Sequence, residues 1–218
     1  MLEGYHPPLE EYLEAVHELH EEGIPVIQAR LTERLGHSAP SVSETVRRLR
    51  DEGYVEITGR EITLTPKGSH AAEGVVRKHR LAERLLVDII GMEWHKSHME
   101  ATRWEHVISD EVEQRLITLL GNPATCPHGN PIPGSGADAP NLVRLSTAGV
   151  GDSVRLERVT EQVEFDTPSL TYLGEHGFTP GKVATVSSRS AEGDLTLDLD
   201  GVELKINGNL AQLLFVAA

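Results

Sequence analysis

The chain has 218 residues, 39% of them hydrophobic, so a real core can be buried in one large domain or in two to three small ones. It carries a formal charge of −14 and one cysteine, Cys126, which excludes an intrachain disulfide and a thiolate cluster and leaves His, Asp, Glu, backbone or water to hold any metal. No apolar run reaches about 18 residues, and the N-terminus lacks the basic start and apolar middle of a secretory signal, so a cytoplasmic protein with no membrane partner is expected.

Leu9, Leu13, Val16 and Leu19 recur at three- and four-residue steps and predict an amphipathic helix over 8–22, ended by Gly23. Ala29, Leu31 and Leu35 mark a short second helix. After a turn at Gly36-His37-Ser38, Val42, Val46 and Leu49 mark the inner face of a third, with Ser38 placed to cap it and Pro40 in its first turn. This is a helix-turn-helix pattern. Its charged residues are mostly basic: Arg30, Arg34, Arg47, Arg48 and Arg50 stand against Glu33 and Glu44, so this segment can face DNA although the whole chain is acidic. Residues 54–58 and 61–65 alternate apolar and polar around Gly59-Arg60, a hairpin that makes the pattern a winged helix.

From Pro66 a long helical stretch runs to Gly91, restarts near Trp94, and is followed by a helix opened by Ser109 with Asp110 and Glu111 in its first turn. Residues 121–140, GNPATCPHGNPIPGSGADAP, shift to Pro, Gly and small residues and are expected to be an interdomain linker in which Cys126 is unliganded. Beyond it, short β-like runs at 142–145, 153–159, 182–187, 195–199 and 202–206 alternate with glycine turns and predict a small β-barrel.

The chemistry lies in residues 77–116. His79 and Glu83 stand one helical turn apart, and His98, Thr102, Glu105 and His106 fall along one stripe of the next helix, so both sets can point at a cation. Imidazole and carboxylate suit Mn(II), Fe(II), Zn(II) or Co(II). An i, i+4 His and Glu pair alone is more often a surface pair. Trp104 points elsewhere on its helix and is expected to pack with Leu85, Leu86 and Ile89. His6, His17, His20, His37, His70, His95, His128 and His176 lack a second ligand at helical spacing and are expected to be ordinary polar residues.

RKHRLAERLL, HMEATRWEHVISDEVEQRL and GNPIPG are close in identity and spacing to the diphtheria toxin repressor family of iron- and manganese-dependent transcriptional regulators, which the chain resembles most strongly over residues 9–134. The resemblance implies a multidomain, mainly α protein: a winged helix-turn-helix (1–74), a helical dimerisation and metal-binding domain ending in the Pro/Gly linker (75–140) and an SH3-like, FeoA-like small β-barrel (141–218). It implies a homodimeric repressor of manganese or iron homeostasis, activated by Mn(II) or Fe(II), with two ions per subunit and a palindromic double-stranded operator. One site falls on His79, Glu83 and His98, with Asp166 from the C-terminal domain and Ser169 where some members have a further polar ligand. The other falls on Glu11, Thr102, Glu105 and His106. Iron-responsive members carry Met where Glu11 stands and Cys where Thr102 stands, and the harder oxygen donors here tilt selection toward Mn(II). Ser38, Pro40, Ser41, Ser43 and Glu44 are implied to enter the major groove, with Arg30, Arg47, Arg48 and Arg50 on phosphates. Glu44 replaces the Gln of iron-responsive members, and as an acceptor only it points to an altered operator.

Two other functions compete. A metal-dependent hydrolase would use Glu105 as base on metal-bound water, but there is no Gly-rich phosphate loop, nucleophile elbow or helical HExxH. A metal-delivery or adaptor module would not need the basic helix-turn-helix.

Overall fold

The computed structural model describes residues 7–136 and 142–217; His6 and the 137–141 end of the Pro/Gly stretch lie outside them. Helix α1 (Pro7–Glu21) buries Leu9, Tyr12, Leu13, Val16 and Leu19 on the face that the periodicity marked. That face packs on α2 (Gln28–Leu35) and α3 (Ala39–Asp51), which bury Leu31, Val42, Val46 and Leu49 in the same core. Gly36 closes α2 in the left-handed region (φ 66°), and the Ser38 hydroxyl then accepts from the Ser41 amide at 3.4 Å to start α3, with Pro40 in the first turn. Strands β1 (Val55–Thr58) and β2 (Glu61–Leu64) form the antiparallel wing, and the Ile62 amide donates to Val26, tying it to the core.

Thr65 caps α4 (Pro66–Arg84) through the Gly68 amide. A Cβ at Gly68 would lie 1.9 Å from the Tyr54 carbonyl oxygen, so glycine permits α4 to enter against the wing. Helix α4 continues through a π-helical stretch, Leu85–Ile90, to Gly91. After a 3-10 turn at Trp94–Lys96 come α5 (Ser97–Trp104) and α6 (Asp110–Leu119), the latter capped by Ser109 as expected. Trp104 packs with Ala82, Leu86 and Ala101 and donates its indole N–H to Glu100, a packing role, although Ile89 is exposed and Leu85 belongs to a neighbouring cluster.

The C-terminal part holds β3 (Val143–Arg144), β4 (Ser153–Val159), α7 (Glu161–Phe165), α8 (Thr167–Glu175), β5 (Val183–Arg189), β6 (Leu195–Leu199), β7 (Val202–Ile206), α9 (Gly208–Ala211) and β8 (Leu214–Ala217). The strands form one six-stranded antiparallel sheet in the order β3-β8-β4-β5-β6-β7 over its own apolar core, which includes Leu156, Leu173, Phe178, Leu197 and Leu204. Helices α7 and α8 interrupt a region that sequence patterning read as β-like, and they carry the site residues described below. Among the described residues no helix is long and apolar enough to cross a membrane.

The Pro/Gly stretch differs from the expected linker. Over 121–136 it is packed into the protein: Cys126, Pro127, His128, Asn130 and Ile132 are buried, and Arg80 and Arg84 donate to the carbonyls of Pro131 and Thr125. Glycines and prolines here shape a tight path; at Gly129 (φ 89°) a Cβ would sit 1.8 Å from the Glu157 carbonyl oxygen.

Candidate metal centre

Four segments converge on a buried cluster of imidazoles and carboxylates. Helix α4 brings His79 and Glu83, separated by one turn, and α5 brings His98. The 126–130 segment adds Cys126 and His128, and α7 adds Glu161 and Glu164, whose three-residue spacing turns both inward. His79, His98, Glu161 and Glu164 can present one ligand atom each within 4.8 Å of one another, as can Glu83, Cys126 and His128. His98 Nδ1 lies 3.2 Å from Glu164 and 3.7 Å from Glu161, and His128 Nδ1 lies 2.9 Å from Glu164 and 3.1 Å from Glu83.

Asp166 and Ser169 are not part of this cluster. Asp166 stands exposed between α7 and α8 and accepts a hydrogen bond from Ser169 at 2.6 Å. The inward face of α7 ends with Glu164, so the C-terminal carboxylates that meet His98 are Glu161 and Glu164. His128, expected to be an ordinary polar residue, is fully buried between two carboxylates.

A second cluster adjoins the first through His79. Its Nε2 faces His98 at 3.1 Å and Glu83 at 3.3 Å, while its Nδ1 meets Glu105 at 2.5 Å. Glu14 of α1 completes a group with His79 and Glu105. A cavity of about 210 Å³ opens here, lined by Glu11, Glu14, Glu18, His79, His98, Thr102 and Glu105 among others. Glu11 is therefore on the wall, one turn from Glu14, which sequence reasoning missed although the two share a helix face. His106 lies at the margin, with Nε2 at 3.1 Å from Glu105 and Nδ1 at 2.8 Å from Glu10. The Thr102 hydroxyl donates to the His98 carbonyl, a bond internal to α5. Glu105 and His106 follow the end of α5 rather than lying within it.

Burial and crowding set the protonation of these groups. Loss of solvent pushes Glu14 up to about 8, reinforced by Glu105. Burial and Glu161 likewise raise Glu164. Burial alone would lower His98, but Glu164 and Glu83 hold it at about 9, and bonds to Glu10 and Glu105 hold His106 at about 10. Burial would raise Glu83, yet His128 and His79 hold it well below the usual carboxylate range. Burial and Glu83 push the Cys126 thiol up to about 12. Among the described residues, both oxygens of Glu83, one each of Glu161 and Glu164, His98 Nε2 and His128 Nδ1 are buried without a well-formed hydrogen bond. Buried polar atoms of this kind call for a partner, and this donor set fits a divalent cation.

Arg80, fully buried, ties the cluster to the rest of the molecule. It donates to Glu21 of α1 at 2.7 Å and to Glu161 of α7 at 3.1 Å. In the winged helix, Ser38, Pro40, Ser41, Glu44, Arg47, Arg48 and Arg50 are exposed at and along α3, with Ser43 half-buried and Arg30 exposed on α2. The positions implied to meet DNA are therefore open to solvent, apart from the half-buried Ser43, and Arg30 also lines a cavity with Gln162 and Phe165 of α7.

A winged helix joined to buried clusters that could hold a cation fits a metal-dependent DNA-binding repressor, and comparison with known proteins agrees. Residues 6–61 match the iron dependent repressor N-terminal DNA binding domain, 65–134 its metal binding and dimerisation domain, and 143–218 the FeoA domain. The chain is 44% identical over 206 residues to the iron-dependent repressor IdeR of Mycobacterium tuberculosis, covering 89% of each. It is 40% identical over 212 residues to the diphtheria toxin repressor of Corynebacterium diphtheriae, covering 93% of each. Among solved structures, a manganese-dependent transcriptional repressor in complex with manganese matches with a TM-score of 0.86 at 31% identity, covering 96% of this chain and 99% of that one. The crystal structure of ScaR with bound Zn2+ matches with a TM-score of 0.80 at 29% identity, covering 96% of this chain and 98% of that one. The chain belongs to the iron-dependent repressor family, that of the diphtheria toxin repressor.

Proposed function

We propose that this repressor is a homodimeric cytoplasmic sensor of Mn(II) or Fe(II) that binds a palindromic operator when two cation sites per subunit are filled. The three units, 1–74, 75–140 and 141–218, would act as DNA-binding, dimerisation and metal-binding, and FeoA-like domains, the last as an SH3-like barrel. The observation that carries the reading is His79, which stands between a cluster reaching the C-terminal domain and a cluster reaching α1 of the DNA-binding domain. One site would use His79, Glu83, His98, Glu161 and Glu164, with Cys126 and His128 beside it. The other would use Glu11, Glu14, Glu105 and His106, with Thr102 on its wall.

A divalent ion supplies the positive charge that lets these carboxylates lie together. Glu14 and Glu11 then hold α1, and with it the recognition helix, against α5, while Glu161 and Glu164 hold the C-terminal domain against α4. Each subunit so fixed sets the spacing of the paired recognition helices. The oxygen and imidazole donors beside α1 suit Mn(II), whereas Cys126 gives the other cluster a softer donor that favours Fe(II), Co(II) or Zn(II). Ile89, Ile90, Met99, Val107 and Leu119 leave exposed apolar surface on the helical part, which a second copy would cover. Membership of a repressor family leaves the metal-dependent hydrolase without support.

The test is operator binding by fluorescence anisotropy, using a duplex selected by this protein from a random pool, with Mn(II), Fe(II) or chelator. Metal-dependent binding that Glu105→Ala abolishes supports the reading. Equal binding with chelator overturns it.

A further inference from the structure

The C-terminal domain touches the DNA-binding domain at a place that no ligand role requires. Arg144 of β3 donates from Nη2 to the Glu22 carbonyl at 3.0 Å, at the C-terminal end of α1, and from Nη1 to the Gln212 carbonyl. Its guanidinium lies 4.9 Å from the centroid of the Phe215 ring, and that of Arg158 lies 5.3 Å from the same ring. Arg158, at the end of β4, reaches toward Glu21 of α1 at 4.0 Å, at the limit of an ion pair. Among the described residues its buried Nε and Nη2 have no hydrogen-bond partner. A helix C-terminus carries partial negative charge and unsatisfied carbonyls, and Glu21 and Glu22 add acid there beyond their pairs with Arg80 and Arg34, so two arginines held on one aromatic ring match it in charge and in donors.

The chain connectivity gives this contact its significance. Arg158 is three residues before Glu161, which accepts from Arg80 on one oxygen and leaves the other buried beside His98. The same short segment, β4 into α7, thus carries candidate metal ligands at one end and an arginine aimed at α1 at the other. We propose that Arg144 and Arg158 form a clamp by which the C-terminal domain holds the end of α1 and passes cation occupancy at Glu161 and Glu164 to the DNA-binding domain. This rests on the metal-dependent reading above. Both arginines are positioning residues: they act on α1 and touch neither DNA nor the cation.

The experiment uses the full chain as wild type, Arg144→Gln, Arg158→Gln and Arg158→Lys, with hydrogen exchange measured with and without Mn(II). In wild type, Mn(II) slows exchange in α4 and α5, where the site lies, and in residues 18–24 at the end of α1. In the two Gln variants slowing persists in α4 and α5, while slowing at 18–24 is lost. Mn(II) affinity without DNA stays within about threefold, and the factor by which Mn(II) raises operator affinity falls about tenfold. Lys at 158 restores part of both, because it keeps the charge without the guanidinium fork. Should Arg158→Gln fail to fold, Arg144→Gln, which alters a half-buried edge-strand residue, decides alone. Retained slowing at 18–24 with an unchanged coupling factor overturns the clamp. If wild type shows no slowing in α4 and α5, the metal-dependent reading fails first and the clamp with it.

Discussion

Exchanging Glu164 for glutamine separates the carboxylates the fold brings together from the one the resemblance implied. Glu164 is 1% exposed, with His128 at 2.9 Å, His98 at 3.2 Å and the Asn130 amide at 2.5 Å. Glutamine keeps the shape and removes one negative charge. At an effective dielectric constant of about 20, a unit charge about 4 Å away is worth about 4 kcal/mol, and against a dication more. Part of that is returned, because the metal-free protein is relieved of repulsion from Glu161 and Glu83, which help to raise Glu164. The net expectation is a loss of about a hundredfold in metal affinity, about 2.7 kcal/mol, while the metal-free variant melts no lower than wild type. Competition with a fluorescent chelator measures the first and calorimetry the second. Asp166→Asn, changing an exposed residue bonded to Ser169, should alter neither. Wild-type affinity in Glu164→Gln, or a comparable loss in Asp166→Asn, would refute the placement of α7 in the site.

Metal binding should release protons. Metal-free, His98, His106 and Glu14 titrate near 9, 10 and 8, each above its ordinary value, so the native state binds more protons than the unfolded chain. Stability of the metal-free protein should therefore fall as pH rises, from about 4.5 where Glu14 begins to differ and from about 6.5 for the histidines, up to about 10, and Mn(II) affinity should rise over the same window; calorimetry showing no proton release at neutral pH contradicts this. Cys126→Ser should leave Mn(II) activation nearly intact but weaken Co(II) or Zn(II) binding, and equal loss for all ions would show that softness is not its contribution. Gly129→Ala should destabilise the protein by about 3 kcal/mol or more, through the close Glu157 carbonyl and the positive φ; an unchanged melting temperature would mean that the segment does not dock.

Much of this architecture was legible because helices and strands write their periods into sequence. The α1 stripe, the Ser38 cap and the His79 and Glu83 pair needed only local rules, and the strand expected at 153–159 is β4. The errors share a physical cause. Helix α7 is five residues long, too short for a 3.6-residue period, so Glu161 and Glu164 look like solvated charge until the fold turns them inward. Cys126 and His128 sit in a Pro/Gly composition that in isolation describes a flexible spacer, and their burial is decided by α4, Trp94 and β4, far away in sequence. Glu14 was within reach: it lies three residues from Glu11 and four from Glu18, on the polar side of a helix whose apolar side was read correctly.

That polar side also bears on how so acidic a protein can meet DNA. A charge of −14 would repel phosphates if spread over the surface. Part of it is withdrawn from the surface: Glu18, Glu22, Glu83, Glu105, Glu113, Glu161 and Glu164 are all buried. Glu18 and Glu22 face Arg34, and Glu161 faces Arg80, so pairing screens these charges from DNA. On the open face the arginines have weaker commitments. Arg30, Arg48 and Arg50 pair with Glu33, Glu52 and Asp51, all exposed, and such pairs contribute about 0–1 kcal/mol each. Phosphates can displace those partners at little cost. The buried carboxylates between α1, α4 and α7 stand where a cation could neutralise them. On the proposed reading, filling that region would remove repulsion within the protein and fix α1 in the same event, so one cluster of acids would serve both the detection of metal and the presentation of the basic helix.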